Sequence, residues 1–121
     1  MSQGFSRTQA ARHHRYFTLT IAASATDSGS ACIAGYENFA LFVPTITGSI
    51  LTFKGNFYDG GTFYTITKDG TAVLMNGLAA TGSALYTGAS AFTYFAGLYG
   101  LKIAASTAQA GSVSFLLGCK S

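Results

Sequence analysis

From Tyr16 onward the chain alternates apolar and polar residues with a period of two. Phe17, Leu19 and Ile21 fall on one side, and Tyr16, Thr18 and Thr20 on the other. That spacing belongs to a half-buried strand, not to a helix with 3.6 residues per turn. After turn residues at 26–29, residues 30–34 predict a weaker strand. Residues 38–43 are apolar on both sides, which predicts a central strand. It stops at Pro44, where the ladder would lack an N–H donor. Residues 49–57 alternate again and place Leu51, Phe53 and Phe57 together on the inner side. Residues 63–67 and 71–75 predict two more strands, and Leu85-Tyr86 a short one inside a Gly/Ala/Ser/Thr-rich connection over 76–91. In the last third, Tyr99, Leu101 and Ile103 point inward, as do Val113, Phe115, Leu117 and Cys119.

The turns carry their own signals. Asp59-Gly60-Gly61 and Asp69-Gly70 follow strand patterns directly. Glycine reaches positive φ without a Cβ clash, and aspartate bonds its own backbone in tight turns. Both sites predict hairpins. Seven to nine short strands with no helix in the body predict an all-β fold, a two-sheet antiparallel β-sandwich of jelly-roll or Greek-key type, with a closed barrel as the minor alternative.

Composition adds an assembly style. The 121 residues fit one domain. They are 49% hydrophobic but only 9% charged, whereas a freely diffusing domain carries about a quarter charged residues. Ser, Thr, Ala and Gly must form most of the exterior, which favours burial in a larger assembly. The formal +3 resides entirely in a leader, residues 1–15, holding Arg7, Arg12, His13, His14 and Arg15; residues 16–121, the sandwich domain, are neutral. This leader is expected as an extended N-terminal arm; residues 6–15 could form a short helix capped by Ser6, but without an apolar stripe they should be disordered alone and depend on a partner for stability. The leader followed by residues 16–25 has the outline of a secretory signal, but Thr at alternate positions makes that run a strand. No run approaches the roughly 20 apolar residues needed to span a bilayer.

The chemistry expected of an enzyme is missing. Asp59 and Asp69 are accounted for by turns, leaving Asp27 and Glu37 as unassigned acids, and both histidines lie in the leader. There is no nucleophile elbow and no phosphate loop. No catalytic residue, cofactor site or metal site is assigned. His13 and His14 are adjacent and point apart on an extended segment, so they do not chelate together. The arginines neutralise too few phosphates for more than weak, non-specific nucleic-acid binding, and they lack the apolar anchors of a membrane contact. Docking against carboxylates of another protein fits them best, since guanidinium forks bind carboxylates in a fixed geometry; a merely solvated leader is the plain alternative. Tyr58, Tyr64, Tyr86, Tyr94 and Tyr99 admit a sugar-binding surface, although rim tyrosines are ordinary in a sandwich. Cys32 and Cys119 are either a bridge joining first and last strands or two small hydrophobes.

Three runs, residues 42–53 (Phe42-Val43-Pro44 through Leu51-Thr52-Phe53), residues 58–63 (Tyr58-Asp59-Gly60-Gly61-Thr62-Phe63) and residues 95–103 (Phe95-Ala96-Gly97 through Leu101-Lys102-Ile103), carry a resemblance. In order and spacing over residues 18–110, the chain resembles small virion proteins of tailed bacteriophages, often encoded near the major capsid gene. These typically show a proline before a strand, an Asp-Gly-Gly-type hairpin, a late Phe-Ala-Gly and a Leu-Lys-Ile strand. The tryptophan common soon after the proline is missing here, so no contact of such a ring carries over; the basic leader is not part of the shared pattern. The resemblance implies a non-enzymatic capsid decoration (cement) protein on the outside of an icosahedral head. Its partner would be the major capsid protein, its oligomer a trimer and its assembly in the host cytoplasm. Competing expectations are a carbohydrate- or receptor-binding module of a tail, neck or head fibre, a neck or tail structural subunit, and a secreted lectin-like protein that would need the Cys32–Cys119 bridge.

Overall fold

A computed structural model describes residues 14–78 and 82–121. The described chain is an antiparallel β-sandwich. The first sheet runs β1 (His14–Ile21), β11 (Val113–Lys120), β3 (Asn38–Val43) and β9 (Ala84–Tyr86), in that spatial order. The second runs β2 (Ala31–Cys32), β10 (Gly100–Ala105), β4 (Leu51–Asn56) and β5 (Tyr64–Thr65). β8 (Leu74–Met75) pairs with β4 beside β5, through Leu51↔Met75 and Thr52↔Leu74. Between β5 and β8 the chain leaves the sheet as a separate hairpin, β6 (Thr67–Lys68) and β7 (Thr71–Ala72). The Val73 amide, donating to the Ile66 carbonyl at 2.9 Å, closes the base of that excursion.

The period-two reading holds where strands are long. Leu19 and Ile21 of β1 are buried, as are Phe115, Leu117 and Cys119 of β11. β3 is central, between β11 and β9, as its two apolar sides predict. Opposite them lie Leu51, Phe53, Leu101 and Ile103, all fully buried. The two inner faces form one apolar core.

Two expectations need correction. Phe57, expected inward, is 78% exposed. β4 ends at Asn56, whose side-chain amide donates to the Gly61 carbonyl at 3.0 Å, and the chain turns outward at the next residue. The body also has a helical turn, the 3-10 segment Ser90–Tyr94. It delivers Phe92 and, just beyond it, Phe95, which is fully buried. The Phe95 ring lies 5.4 Å from Phe39 of the first sheet and 4.9 Å from Phe53 of the second, both edge-on. One aromatic from a Gly/Ala/Ser-rich connection thus ties the layers together.

Two polar devices close the loops. Residues 26–28 bridge the sheets: Ile21↔Ser28 reaches β1 and Asp27↔Ala104 reaches β10. Gln109, 2% exposed, donates its amide to the carbonyls of Thr47 and Thr107 and accepts from the Thr47 amide, each at 2.9 Å. Its own backbone pairs with Ser24 and Ala25. The three side-chain bonds of this buried amide tie the Thr47 loop to the Thr107 loop, and the backbone pairing adds the loop at Ser24 and Ala25.

Candidate interaction face

The outer face of the first sheet follows from the same registers. Thr18 lies opposite Leu116, Leu116 opposite Phe42, and Phe42 opposite Leu85, so one transverse row crosses all four strands. The next row is Tyr16, Gly118 and Ala40. Gly118 and Ala40 are small, so Tyr16 and the first row wall a shallow groove of about 460 Å³. Tyr16 (66%), Leu85 (65%) and Leu116 (42%) are well exposed. Thr20 and Ser114 share a hydroxyl hydrogen bond of 2.9 Å at the far end. No charged side chain interrupts these two rows. A contiguous apolar patch on an exposed sheet face is a candidate contact surface.

The sequence singled out other residues. Arg7, Arg12 and His13 lie outside the described residues. His14 and Arg15, expected to end the leader, are instead the first residues of β1, opposite Lys120 and Cys119. The Arg15 guanidinium stands 5.1 Å over the Phe17 ring of its own strand. At the Asp59-Gly60-Gly61 site the Gly61 amide donates to the Tyr58 carbonyl at 2.9 Å, and Gly60 has φ +79°. β4 and β5 pair on either side of it. At the second site Asp69 (φ +53°) and Gly70 (φ +80°) are both left-handed, the arrangement of a type I′ hairpin turn.

Cys32 and Cys119 are free thiols, Cys32 exposed and Cys119 buried. Burial pushes the Cys119 thiol up to about 11, against a smaller opposing pull from the Arg15 guanidinium. Cys32 lies in a polar notch of about 470 Å³ with Asn56, Asp59, Phe63 and Tyr99. The Cys32 side chain beside the Tyr99 hydroxyl, as a hydrogen-bonding neighbour, is the first cause that raises the tyrosine's pKa; the Asp59 charge adds to the effect. Tyr99 is therefore half-buried at this notch, not an inward core residue. Of the other tyrosines, Tyr58 and Tyr64 stand exposed, whereas Tyr86 and Tyr94 pack half-buried against the core. Among the described residues no group of three His, Cys, Asp or Glu side chains converges.

The row from Thr18 to Leu85 was missed because it needs the strand order. Each strand contributes one outward residue, and a lone exposed Leu or Phe says little by itself.

No protein-family model matches the sequence, and no curated protein does. Among solved structures, the SPBc2 prophage-derived protein YomS has a similar fold, with a TM-score of 0.51 and 13% identity over 89% of this chain and 95% of that one. A subunit of Bacillus endospore appendages, described as disulfide-linked pili, aligns with a TM-score of 0.39 and 13% identity over 88% of this chain and 86% of that one. The YomS likeness is one of fold.

Proposed function

We propose that this chain is a non-enzymatic structural protein of a bacteriophage particle, a decoration protein that docks on the outside of the head through the outer face of its first sheet. The observation that carries the reading is the uncharged row Thr18, Leu116, Phe42 and Leu85, which crosses all four strands with Thr18, Leu116 and Leu85 exposed and Phe42 half-buried between them. The fold shared with a prophage-derived protein supports it, as does the concentration of positive charge in the leader. In this reading the major capsid protein supplies an apolar shelf for the sheet and carboxylates for Arg7 and Arg12. Binding of this sort needs no cofactor and turns over no substrate.

Co-sedimentation of the purified chain with undecorated heads tests the proposal. Wild type is expected to saturate the heads. The double variant Leu85→Asp/Leu116→Asp should lose about a hundred-fold in affinity with an unchanged melting curve, because two carboxylates would be desolvated at the contact. Removal of residues 1–13, which stops short of β1, should weaken binding and flatten its salt dependence. Undiminished binding by both variants would overturn the docking face and the tether together.

A second reading has one observation in its favour. The notch with Asp59, Tyr99 and Phe63 combines a carboxylate with aromatic walls, as a carbohydrate- or receptor-binding module of a fibre would. It predicts glycan binding that Tyr99→Ala abolishes and Leu85→Asp leaves intact.

A further inference from the structure

The margins of the two sheets are unequal. β9 has three residues, and β2 and β5 have two each, so those margins offer a neighbouring strand little to pair with. β1 is eight residues long and outermost in its sheet. It contains no proline or glycine, and aromatic and β-branched residues dominate it. Among the described residues, the one ladder bridge on its outer side is that of Ile21 to Ser28, although β2 and β10 also approach the strand. Residues 14–20 therefore present backbone donors and acceptors that no described strand answers.

We propose that this margin is a self-association edge: β1 of one copy pairs antiparallel with β1 of a second copy about a two-fold axis at Phe17, joining two four-stranded sheets into one of eight strands. Three features choose a second copy as the occupant. Phe17 is the centre of the open span, so this pairing uses all of residues 14–20 and keeps like faces together. Tyr16 comes opposite Thr18 of the second copy, and Phe17 opposite its counterpart. Phe17 is only half-buried while Leu19 and Ile21 further along the same inner row are closed, and a second ring across the seam would cover it. Charge selects the direction. His14 and Arg15 sit at one end of the strand, and the antiparallel pair keeps the two arginines roughly 14 Å apart at about 3.4 Å per residue. That exceeds the screening length of about 8 Å at physiological salt, whereas a parallel pair would stack like charges.

Pairing β1 with β9 of another copy would engage only the three residues of β9, so the closed pair is preferred over a growing filament. The pair also sets two outer apolar rows side by side, on a surface roughly 38 Å wide at about 4.8 Å per strand. This inference stands on the edge itself and does not depend on head binding. A two-fold pair also differs from the trimer implied by the resemblance.

Sedimentation of the full chain under reducing conditions, over a wide concentration range, provides the test. Wild type is expected at the mass of two copies. Tyr16→Lys/Thr18→Lys and Tyr16→Glu/Thr18→Glu, each placing like charges directly across the seam, should each dissociate at least about a hundred-fold more readily. An equimolar mixture of the two should return the two-copy species. Both positions are exposed, so circular dichroism should be unchanged in each variant, and each should still melt in one cooperative transition as a folded single copy. A wild-type chain that sediments as one or three copies, a lysine variant that pairs as tightly as wild type, or a mixture that stays apart would each overturn the proposal.

Discussion

The two sheets share one core and present opposite exteriors. Outside the first sheet lie Tyr16, Thr18, Phe42, Leu85 and Leu116, uncharged, with His14 and Lys120 at the strand ends of the same face. Outside the second lie Lys54 and Lys102, directly opposite each other on β4 and β10. Like charges facing each other across a ladder repel, and here each lysine is drawn elsewhere. Lys54 reaches the Asp27 carboxylate at 2.7 Å, and Lys102 stands 4.5 Å over the Phe63 ring. The middle of one exterior is uncharged, and the middle of the other carries two facing lysines. The inward halves of the strands do not distinguish them; the difference resides in outward residues alone.

The largest expected effect tests whether the two exteriors depend on one core. Phe95→Ala removes the ring that touches both Phe39 and Phe53, and is expected to cost about 3–5 kcal/mol by urea unfolding. Circular dichroism and tyrosine fluorescence should then report a single transition. A loss below about 1 kcal/mol, or two separated transitions, would mean that the sheets are stabilised independently.

Much of this contrast was legible from the chain itself. The threonines at 18 and 20 mark an outer side, and residues 38–43 announce a central strand. The Asp-Gly turns are local, so their chemistry suffices to place them. Phe95 was not legible as a core residue, because the 3-10 turn that aims it has neither period two nor a sustained helical stripe. Phe57 was misplaced because alternation tells in from out only while the strand continues. Nothing local stops the count at Asn56; its bond to Gly61 does. Gln109 carries no signal either, since a polar residue in a loop reads as exposed until the Thr47 and Thr107 carbonyls are found around it. The outer row from Thr18 to Leu85 depends on pairing β1 with β11, nearly a chain length apart, and such registers are not written in any one segment.

The two thiols sample the same contrast from inside and outside. Cys119 lies on the inner side of the first sheet, and its thiol pKa is raised from about 9 to about 11 by burial. The neutral form is the one the fold accommodates. Its contribution is therefore fully present below pH 9 and is lost as pH rises from 9 through 11, when the unfolded chain ionises first. Two units correspond to at most about 2–3 kcal/mol. Cys119→Ala should flatten stability across that window. Cys32, exposed on the second sheet, should alkylate with iodoacetamide in the native state while Cys119 reacts only on unfolding. Equal native rates for the two would break the assignment of inside and outside.

The smallest effect sharpens the water-facing side. Asp27 and Lys54 are partly exposed, so their 2.7 Å ion pair is worth no more than about 1 kcal/mol. Asp27→Asn removes the carboxylate and leaves Lys54 facing Lys102 unbalanced, so stability should fall by about 0.5–1 kcal/mol at low salt. The loss should shrink at high salt, as screening weakens both the lost attraction and the exposed repulsion. The additional change Lys102→Met should recover part of the loss by removing the opposing charge. A double-mutant cycle with Lys54→Met separates pair attraction from lysine repulsion. If Asp27→Asn were instead without cost at any salt, the backbone bridge from Asp27 to Ala104, which the substitution leaves intact, would be the feature that matters, and the second exterior would owe its arrangement to the loop rather than to its charges.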